Sequence, residues 1–317
     1  MHTYKPLADI RIGDELEGFY LLSSCSQRIS SNGKPFLSAV LSDRTRSVDA
    51  KVWDYSGPLG AADAGRPVKV RGTVTEFRGS FQINVDRIRL TGPQDSVDFS
   101  ALIPTAPIDA DALYEELLST VASMEDADYR AICTEMLRRH GDALRTIPAA
   151  KSVHHSFRCG LLMHTAYMLR LAGFIASLYH DTVDRSLLLA GTLLHDFGKT
   201  AEFNFSPLGL VTDYSVEGQL LGHLVICAQE VGEVAAALAV PEEKSILLRH
   251  LILSHHGEPE FGAAVRPQCV EGELLSYIDM IDSRVEICRE ALSETAAGAF
   301  SERIFALDGR RIYRHDT

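Results

Sequence analysis

The sequence lacks a long apolar run and an apolar signal segment. No uninterrupted apolar stretch approaches the roughly 18 residues that a membrane span needs. The longest candidate, around residues 169–179, is broken by Arg170. The first residues, from Met1 to Lys5, lack the apolar core of a secretory signal. We therefore expect a cytoplasmic protein that has no membrane partner.

Paired cysteines are also missing. The six cysteines are scattered along the chain and form no CxxC pair. Neither a disulfide framework nor a thiolate zinc site is indicated by such spacing. Isolated thiols of this kind are typical of the reducing cytoplasm.

The sequence has no excess of positive charge. The net charge is −12, and residues 1–90 contain 13 Lys and Arg against 10 Asp and Glu, whereas the remaining residues contain 18 against 33. An acidic body is a poor match for non-specific nucleic-acid binding, which depends on neutralising phosphates. A polyanionic substrate would therefore need bound cations or the slightly basic N-terminal segment.

Among the features that are present, the first ninety residues have the pattern of β-strands. Short segments rich in β-branched and aromatic residues alternate in polarity and are separated by turn sequences such as Asn32-Gly33 and Arg78-Gly79. The predicted strands are 17–24, 36–42, 47–53, 68–77 and 81–90. Five such strands predict a small closed barrel of the OB type.

The rest of the chain is predicted to be helical. Residues 91–108 are polar and contain three prolines, and from Asp109 onward the apolar residues recur three and four apart behind an acidic start. The fold class is therefore multidomain, a small all-β OB barrel followed by an all-α helical domain. The predicted boundaries are 1–95 for the barrel, 96–110 for a linker and 111–317 for the helical domain.

A series of histidines and aspartates runs through the helical segment. The series consists of His164, His195, Asp196, His223, His255, His256 and Asp279. The steps from His164 to His195, His223, His255 and Asp279 are 24 to 32 residues long, and each allows one helix and its return, so a bundle can direct all of them into one pocket. Imidazoles mixed with carboxylates suit Mn, Fe, Co or Zn better than Mg or Ca.

The adjacent His195-Asp196 pair allows the carboxylate to bridge two ions. Two metals roughly 3.5–4 Å apart hold both the attacking and the leaving oxygen of a phosphodiester. Lys199, three residues after Asp196, is a candidate for stabilising the charge that develops on the phosphate. Asp196 and Lys199 are therefore the predicted catalytic residues.

The motif His195-Asp196-x-Gly-Lys199, with a histidine upstream and His255-His256-Gly257 downstream, resembles the HD phosphohydrolase superfamily over about residues 147–292. The resemblance implies two metal sites that share Asp196. The first would also use His164, His195 and Asp279, and the second would use His223 and His255, with His256 as a further candidate. Asp282 is the alternative to Asp279, which we favour because more apolar residues precede it.

The N-terminal segment resembles a nucleic-acid-binding OB module of the anticodon-binding type. The resemblance rests on residues 32–37, 41–45, 52–54, 70–74 and 82–83. It implies a groove across the second and third strands that offers stacking and phosphate contacts. The candidates are Phe36, Lys51, Trp53, Arg71, Phe77, Arg78 and Phe81. The alternative is that Phe36 and Trp53 are core residues and the basic side chains are solvated.

The order of barrel, linker and HD domain, with the closing residues 307–313, is similar to that of the YhaM-type 3′→5′ exoribonucleases. That resemblance implies hydrolysis of single-stranded RNA, and often DNA, to nucleoside 5′-monophosphates with two ions of the Mn type. His154 and His155 are candidate substrate contacts; the alternative is a solvent-exposed pair. One departure is Met163, where the family usually has a glutamate.

Two other functions stay open at this point. An HD domain also suits a phosphohydrolase of small nucleotides, such as dNTPs, cyclic dinucleotides or nucleoside monophosphates, because fold alone does not fix the substrate. A strand-binding module argues against that function. The other alternative is a nucleic-acid-binding protein without catalysis, against which the complete ligand series argues. A homo-oligomer is compatible with the sequence.

Overall fold

The computed structural model describes residues 4–30, 32–77, 79–103, 108–148, 158–205, 211–293 and 295–316. The chain divides into two compact units, residues 1–105 with 205–212, and residues 106–204 with 213–317. The first unit contains a β-barrel and the second is mostly helical. The predicted fold class is confirmed.

The barrel is built from five strands. They are β1 (Glu15–Ile29), β2 (Pro35–Ser42), β3 (Ser47–Trp53), β4 (Arg66–Phe77) and β5 (Ser80–Leu90). Their order is β1-β2-β3-β5-β4, and the barrel closes where β1 pairs with β4. The β3–β5 pair is parallel and short, covering Asp49–Lys51 and Gln82–Asn84.

Alternation along the strands separates the core from the surface. On β4, Val68, Val70 and Val74 are buried in the barrel core, while Lys69 and Arg71 lie on the outside. Each fully buried valine contributes about 1.5–3 kcal/mol to stability. The polar residues of β4 are therefore confined to the outer face.

Strand β1 is longer than its sequence pattern indicates, because it continues five residues beyond 24. The register shifts between Leu22 and Ser24, and pairing with β2 then runs from Cys25 opposite Ala39 to Ile29 opposite Pro35. This serine-rich stretch has no clear alternation of its own, so the β2 backbone decides its conformation.

Part of the predicted linker packs against the barrel. A short helix, α1 (Phe99–Leu102), lies there, and Leu102 and Ile103 are buried. The carbonyl oxygen of Ala101 accepts hydrogen bonds from the Tyr4 hydroxyl and the Arg44 backbone nitrogen. The segment up to residue 103 therefore belongs structurally to the first unit.

The second unit contains eight further helices among the described residues. They are α2 (Ala110–Ala122), α3 (Ala127–Leu144), α4 (Gly160–Leu178), α5 (Arg185–Leu194), α6 (Lys199–Glu202), α7 (Val216–Ala237), α8 (Glu242–Ser254) and α9 (Val270–Ser293). Asp109, Asp126 and Asp184 cap α2, α3 and α5 through side-chain acceptors. Two short sheets that the sequence pattern did not predict pair β6 (Phe203–Phe205) with β7 (Val211–Tyr214) and β8 (Ala299–Phe300) with β9 (Tyr313–Arg314).

Two helices, α4 and α7, are long and apolar enough to cross a membrane by length and composition alone. No span is expected from the sequence, because no uninterrupted apolar run approaches about 18 residues and Arg170 breaks the longest candidate. The core helices of soluble proteins meet the same criterion, and 56% of the apolar window of α4 is buried inside the protein. In α7 the helix is also interrupted by Gly222, whose φ of 73° and ψ of 158° are not helical.

Candidate metal centre and nucleic-acid interface

Two of the predicted ligands, His195 and His255, stand at the ends of helices. His195 is the C-terminal cap of α5 and His255 that of α8. Carbonyls in the last turn of a helix lack intrahelical donors, and the ring Nδ1 atoms lie 2.8 Å from Thr192 O and 2.7 Å from Ile252 O. Because a carbonyl only accepts, each Nδ1 carries a proton, and in the neutral ring Nε2 then keeps its lone pair.

His164 and His223 are oriented in the same way by carboxylates. His164 Nδ1 lies 2.7 Å from Asp282 Oδ2, and His223 Nδ1 lies 3.1 Å from Glu202 Oε1. An acceptor on Nδ1 again leaves Nε2 available as a metal ligand, an arrangement common around metal-binding histidines. All four imidazoles therefore offer the same nitrogen.

Asp196 lies between these imidazoles and presents one oxygen to each pair. Its Oδ2 atom is 3.3 Å from His195 Nε2 and 3.8 Å from His164 Nε2. Its Oδ1 atom is 3.4 Å from His223 Nε2 and 3.8 Å from His255 Nε2. A carboxylate placed in this way can be shared by two cations.

The candidate ligands form two groups. His164, His195 and Asp196 form one, and His223, His255 and His256 form the other, with the ligand atoms within 4.8 Å of one another in each. The division matches the one that the HD resemblance implies. Asp279 Oδ1 lies 3.3 Å from His164 Nε2, on the side of the ring that faces the first group.

Asp279 and Asp282 thus have different positions around His164. Asp279 approaches the Nε2 atom, whereas Asp282 holds the Nδ1 atom on the opposite side of the ring. Asp282 therefore has an orienting position, and Asp279 stays the ligand candidate.

The donor set fits divalent ions. Within the described part of the chain, three buried polar atoms of the site have no hydrogen-bond partner: Asp196 Oδ1, His223 Nε2 and His256 Nδ1. Asp196 Oδ1 and His223 Nε2 lie 3.4 Å apart, but they do not have the geometry of a hydrogen bond. A buried unpartnered polar atom costs about 1–3 kcal/mol, and a cation between these atoms would remove that cost.

Lys199 supplies a positive charge beside the central carboxylate. Its Nζ atom lies 2.7 Å from Asp196 Oδ2; the Asp196 side chain is buried and that of Lys199 is mostly buried. Burial alone would raise the pKa of Asp196, but Lys199 and His195 hold it well below its usual range. Burial would likewise lower the pKa of Lys199, but the Asp196 carboxylate raises it. Both groups are therefore ionised near neutral pH.

The histidines differ in their basicity. Burial and the neighbouring imidazoles hold the pKa of His255 well below its usual range, and burial lowers that of His256. Burial would also lower the pKa of His164, but hydrogen bonds to Asp279 and Asp282 raise it to about 9. His255 and His256 therefore present neutral imidazoles, while His164 must release a proton when it binds a cation.

Glycines allow the segment that follows α5 and the first part of α7 to pack closely against each other. A Cβ atom on Gly198 would lie 2.1 Å from the His223 carbonyl oxygen, and one on Gly218 would lie 2.1 Å from that of Glu202. Gly222, with a φ of 73°, interrupts α7 just before His223. This packing brings His223 to Asp196 and Glu202.

Sequence reasoning did not single out Glu202. It lies on α6, is buried, and also accepts a hydrogen bond from the His223 backbone nitrogen. Nothing in the local sequence separates a buried glutamate of this kind from an exposed one. Its distance of six residues from Asp196 is the only available signal, and that distance alone is weak.

On the barrel, Phe36 and Trp53 form an aromatic pair on the outer face of β2 and β3. Their ring centroids are 5.1 Å apart, and Trp53 is 53% exposed. Lys51 extends over the Phe36 ring and donates to Ser38 Oγ, while Trp53 Nε1 donates to Asn84 Oδ1 at 3.4 Å. Trp53 is therefore a surface residue rather than a core residue.

The other nucleic-acid candidates lie elsewhere on the barrel. Phe77 and Phe81 are exposed near the turn between β4 and β5, where the Arg46 guanidinium lies 4.8 Å from the centre of the Phe81 ring. Arg71 lies on β4 rather than on the second or third strand. Arg78 lies outside the described residues.

Two further observations from the sequence concern the candidate substrate contacts and the departure at Met163. His154 and His155 both lie outside the described residues. Met163 is buried on α4, next to His164 in sequence. Its apolar side chain cannot provide the carboxylate that the family usually has there.

Comparisons with known proteins agree with both domains. The HD domain model matches residues 153–284, and the model for the OB-fold nucleic acid binding domain, of the tRNA anticodon type, matches residues 23–91. The 3′-5′ exoribonuclease YhaM of Listeria innocua serovar 6a is 38% identical over 311 residues, covering 98% of this chain and 98% of that protein.

Solved structures resemble the chain only in part. The second OB-fold domain of replication protein A from Methanococcus maripaludis covers 30% of this chain and 98% of its own, with 18% identity and a TM-score of 0.22. The HD domain of the L. monocytogenes phosphodiesterase PgpH covers 48% of this chain and 73% of its own, with 14% identity and a TM-score of 0.30. Likenesses this low carry no argument about function.

Proposed function

Because this chain belongs to the family of YhaM-type 3′-5′ exoribonucleases, we propose that it removes nucleotides from the 3′ end of single-stranded RNA in a reaction that depends on divalent metal ions. The observation that carries this proposal is the position of Asp196, whose two oxygens face two separate groups of imidazole nitrogens. Water adds to the phosphorus of the last phosphodiester, the bond from that phosphorus to the 3′ oxygen of the preceding nucleotide breaks, the 3′ oxygen takes up a proton of the water, and a nucleoside 5′-monophosphate leaves.

The ligand assignment is part of the proposal. His164, His195, Asp196 and Asp279 would hold one ion, and Asp196, His223 and His255 would hold a second. His256 is a further candidate, supported by its place in the second group. The mixture of nitrogen and oxygen donors suits Mn, Fe, Co or Zn, and we propose Mn. When bound, such ions stabilise the negative charge that develops on phosphodiester oxygens.

The remaining steps fall to the side chains of the chain itself. The Lys199 ammonium would donate a hydrogen bond to a phosphate oxygen or to the leaving 3′ oxygen, because its high pKa keeps it protonated beside Asp196. Asp282 and Glu202 would keep the His164 and His223 rings in place. The burial of the site excludes bulk water and strengthens each of these interactions.

The barrel would hold the single strand. Phe36 and Trp53 offer stacking surfaces and Lys51 offers a charge to a phosphate. Phe77, Phe81 and Arg71 are further proposed contacts, and single-stranded DNA would bind through the same chemistry. A cytoplasmic location is also proposed, supported by six free cysteines, four of them buried.

The test is an incubation of metal-stripped protein with 5′-labelled single-stranded RNA, with and without Mn²⁺. We expect a ladder that shortens from the 3′ end only with metal, and no ladder with Asp196→Ala. A matched control is Asp142→Ala, which removes an exposed carboxylate on α3. Intact RNA under all conditions would contradict the proposal and direct attention to small nucleotides as substrates.

A further inference from the structure

A charged surface lies on the outer side of the barrel strands β4 and β5. The antiparallel register sets Lys69 opposite Arg89 and Arg71 opposite Arg87. Side chains directly opposite each other in a sheet are about 4.5–5.5 Å apart at Cβ, and like charges in such pairs are destabilising. Two adjacent like-charged pairs are therefore a cost to the fold that binding an anion would offset.

The acidic groups nearby offset only part of this charge. Asp95 forms a bidentate ion pair with Arg89, with nitrogen–oxygen distances of 2.6 and 2.8 Å. Glu17 on β1 lies opposite Arg71 in the strand register, and its carboxylate approaches Lys69 at 3.9 Å. Within the described residues neither Arg71 nor Arg87 forms an ion pair, and both are exposed.

These residues line a cleft of about 490 Å³. Its lining consists of Glu17, Val52, Tyr55, Lys69, Val70, Arg71, Asp86, Arg87, Ile88 and Arg89. Four cationic side chains thus meet three carboxylates, Glu17 and Asp86 in the cleft and Asp95 paired with Arg89, beside an apolar wall of the half-buried Tyr55 and Ile88. A phosphate with an attached nucleoside matches this combination, because guanidinium groups bind phosphate oxygens and the apolar wall accepts a sugar or base.

The cleft adjoins the aromatic pair through the short β3–β5 pairing. That pairing ends at Lys51 and Asn84, Trp53 donates a hydrogen bond to Asn84, and the cleft residues Asp86 and Arg87 follow Asn84 along β5 and are exposed. The surface from Trp53 through Asn84 to the cleft is therefore continuous across the seam of the barrel.

We propose that this basic cleft (Lys69, Arg71, Arg87 and Arg89) binds backbone phosphates of the same nucleic-acid strand that stacks on Phe36 and Trp53. The inference deepens the proposed function, on which it rests, because it adds a second contact region for the strand. Short oligonucleotides would engage the aromatic pair alone, and longer ones would also reach Arg71 and Arg87. Affinity and its salt dependence would therefore both increase with length.

The test measures binding without hydrolysis, in EDTA, with the full-length protein. Fluorescence anisotropy would follow labelled single-stranded RNAs of about 5 and about 20 nucleotides, which bracket the roughly 4–16 nucleotides that one OB fold covers. The variant is Arg71→Gln/Arg87→Gln. We expect it to bind the long RNA at least about tenfold more weakly and to reduce the slope of log K against log salt by about 1.4, since each phosphate contact on a single strand contributes about 0.7.

The short RNA should bind the variant almost as well as the wild-type protein. The matched control, Arg11→Gln/Arg66→Gln, removes two exposed charges of the barrel outside the cleft, and it should leave the length dependence unchanged. Thermal unfolding separates binding from folding, because removing like-charged neighbours should leave the barrel as stable or more stable.

An unchanged salt slope in the variant, or an equal loss for both RNA lengths, would overturn the inference. Those outcomes do not depend on catalysis, because no hydrolysis occurs in EDTA. The proposed function would fail separately, if wild-type protein with Mn²⁺ left the RNA intact.

Discussion

Glu202 accepts two hydrogen bonds from His223, one from the ring Nδ1 atom and one from the backbone nitrogen, both at 3.1 Å. The two residues are 21 positions apart and meet because α7 is interrupted at Gly222. A carboxylate that holds both the backbone and the ring fixes the rotamer of His223 and the nitrogen that carries its proton. The unpartnered Nε2 atom is then directed at Asp196.

Removal of this carboxylate should weaken one metal site selectively. We expect Glu202→Ala to lower the affinity of the second ion by about 10–100-fold, the usual effect of losing a group that orients a ligand. Isothermal titration of the metal-free protein with Mn²⁺ would measure both sites. Glu202→Gln, which keeps an acceptor oxygen, should recover part of the loss; equal loss at both sites in either variant would contradict the assignment.

Replacement of Asp196 should affect both sites together. Asp196→Asn removes the charge that both groups share, so Mn²⁺ should no longer protect the protein against thermal unfolding. In the wild-type protein, metal at 100 times its dissociation constant should add about 2.7 kcal/mol of stability. Calorimetric melting with Mn²⁺ and with EDTA measures the difference, and Asp142→Asn is the matched control. A variant that still binds one ion tightly would show that Asp196 is not shared.

Lys199 should act on the reaction rather than on metal binding. We expect Lys199→Gln to reduce kcat by about 10²–10³-fold, the usual cost of removing one donor from a developing oxyanion, with a much smaller change in KM. Single-turnover hydrolysis of the labelled RNA measures the rate, and Mn²⁺ titration checks that both ions still bind. Loss of metal binding in this variant would instead indicate that Lys199 supports the fold of the site.

Trp53 should contribute to RNA affinity through stacking. Loss of one stacking contact costs about 1–3 kcal/mol, so Trp53→Ala should weaken single-stranded RNA binding by roughly 5- to 150-fold. Anisotropy in EDTA measures this change. Trp53→Phe should retain most of the affinity, and Ile12→Ala, which removes another exposed apolar side chain of the barrel, should have no effect. Equal binding by Trp53→Ala and wild type would exclude the stacking role.

Asp43 should make barrel stability dependent on pH. Its carboxylate accepts from the Tyr4 hydroxyl at 2.7 Å and from the Leu7 and Thr45 backbone nitrogens at 2.6 and 2.7 Å. Burial alone would raise the pKa of Asp43, but these donors and the Thr45 hydroxyl lower it. A folded pKa below the unfolded value means that the stabilisation is complete above about pH 4 and is lost as pH falls through the folded pKa.

The measurement is urea unfolding between about pH 6 and about pH 3, followed by fluorescence of Trp53, the single tryptophan of the chain. Asp43→Asn should be less stable by about 1.5–3 kcal/mol at neutral pH, because hydrogen bonds to the charged group are lost. Its stability should also fall less steeply with acid. If the stability of Asp43→Asn fell with acid as steeply as that of the wild type, other carboxylates would be responsible for the pH dependence.

Several features of the fold and of the metal centre can be predicted from the local sequence. The alternation of Val68, Lys69, Val70 and Arg71 predicts a strand with one buried face, and the strand is there because its valines lose contact with water in the core. The spacing of His164, His195, His223 and His255 predicts that helices meet around one pocket, and their Nε2 atoms do face one carboxylate. Local periodicity and residue chemistry determine these features by themselves.

Other features exist only in the packed chain. The opposite positions of Asp279 and Asp282 around His164 depend on how α9 lies against α4, across 118 residues. The hydrogen bonds of Glu202 to His223 depend on a backbone that only glycine allows at residue 222. The pairing of Arg71 with Arg87 follows from strand register. A local pattern predicts whether a side chain points inward. The partner that it meets there depends on packing between residues far apart in the chain, so no short segment of sequence predicts it.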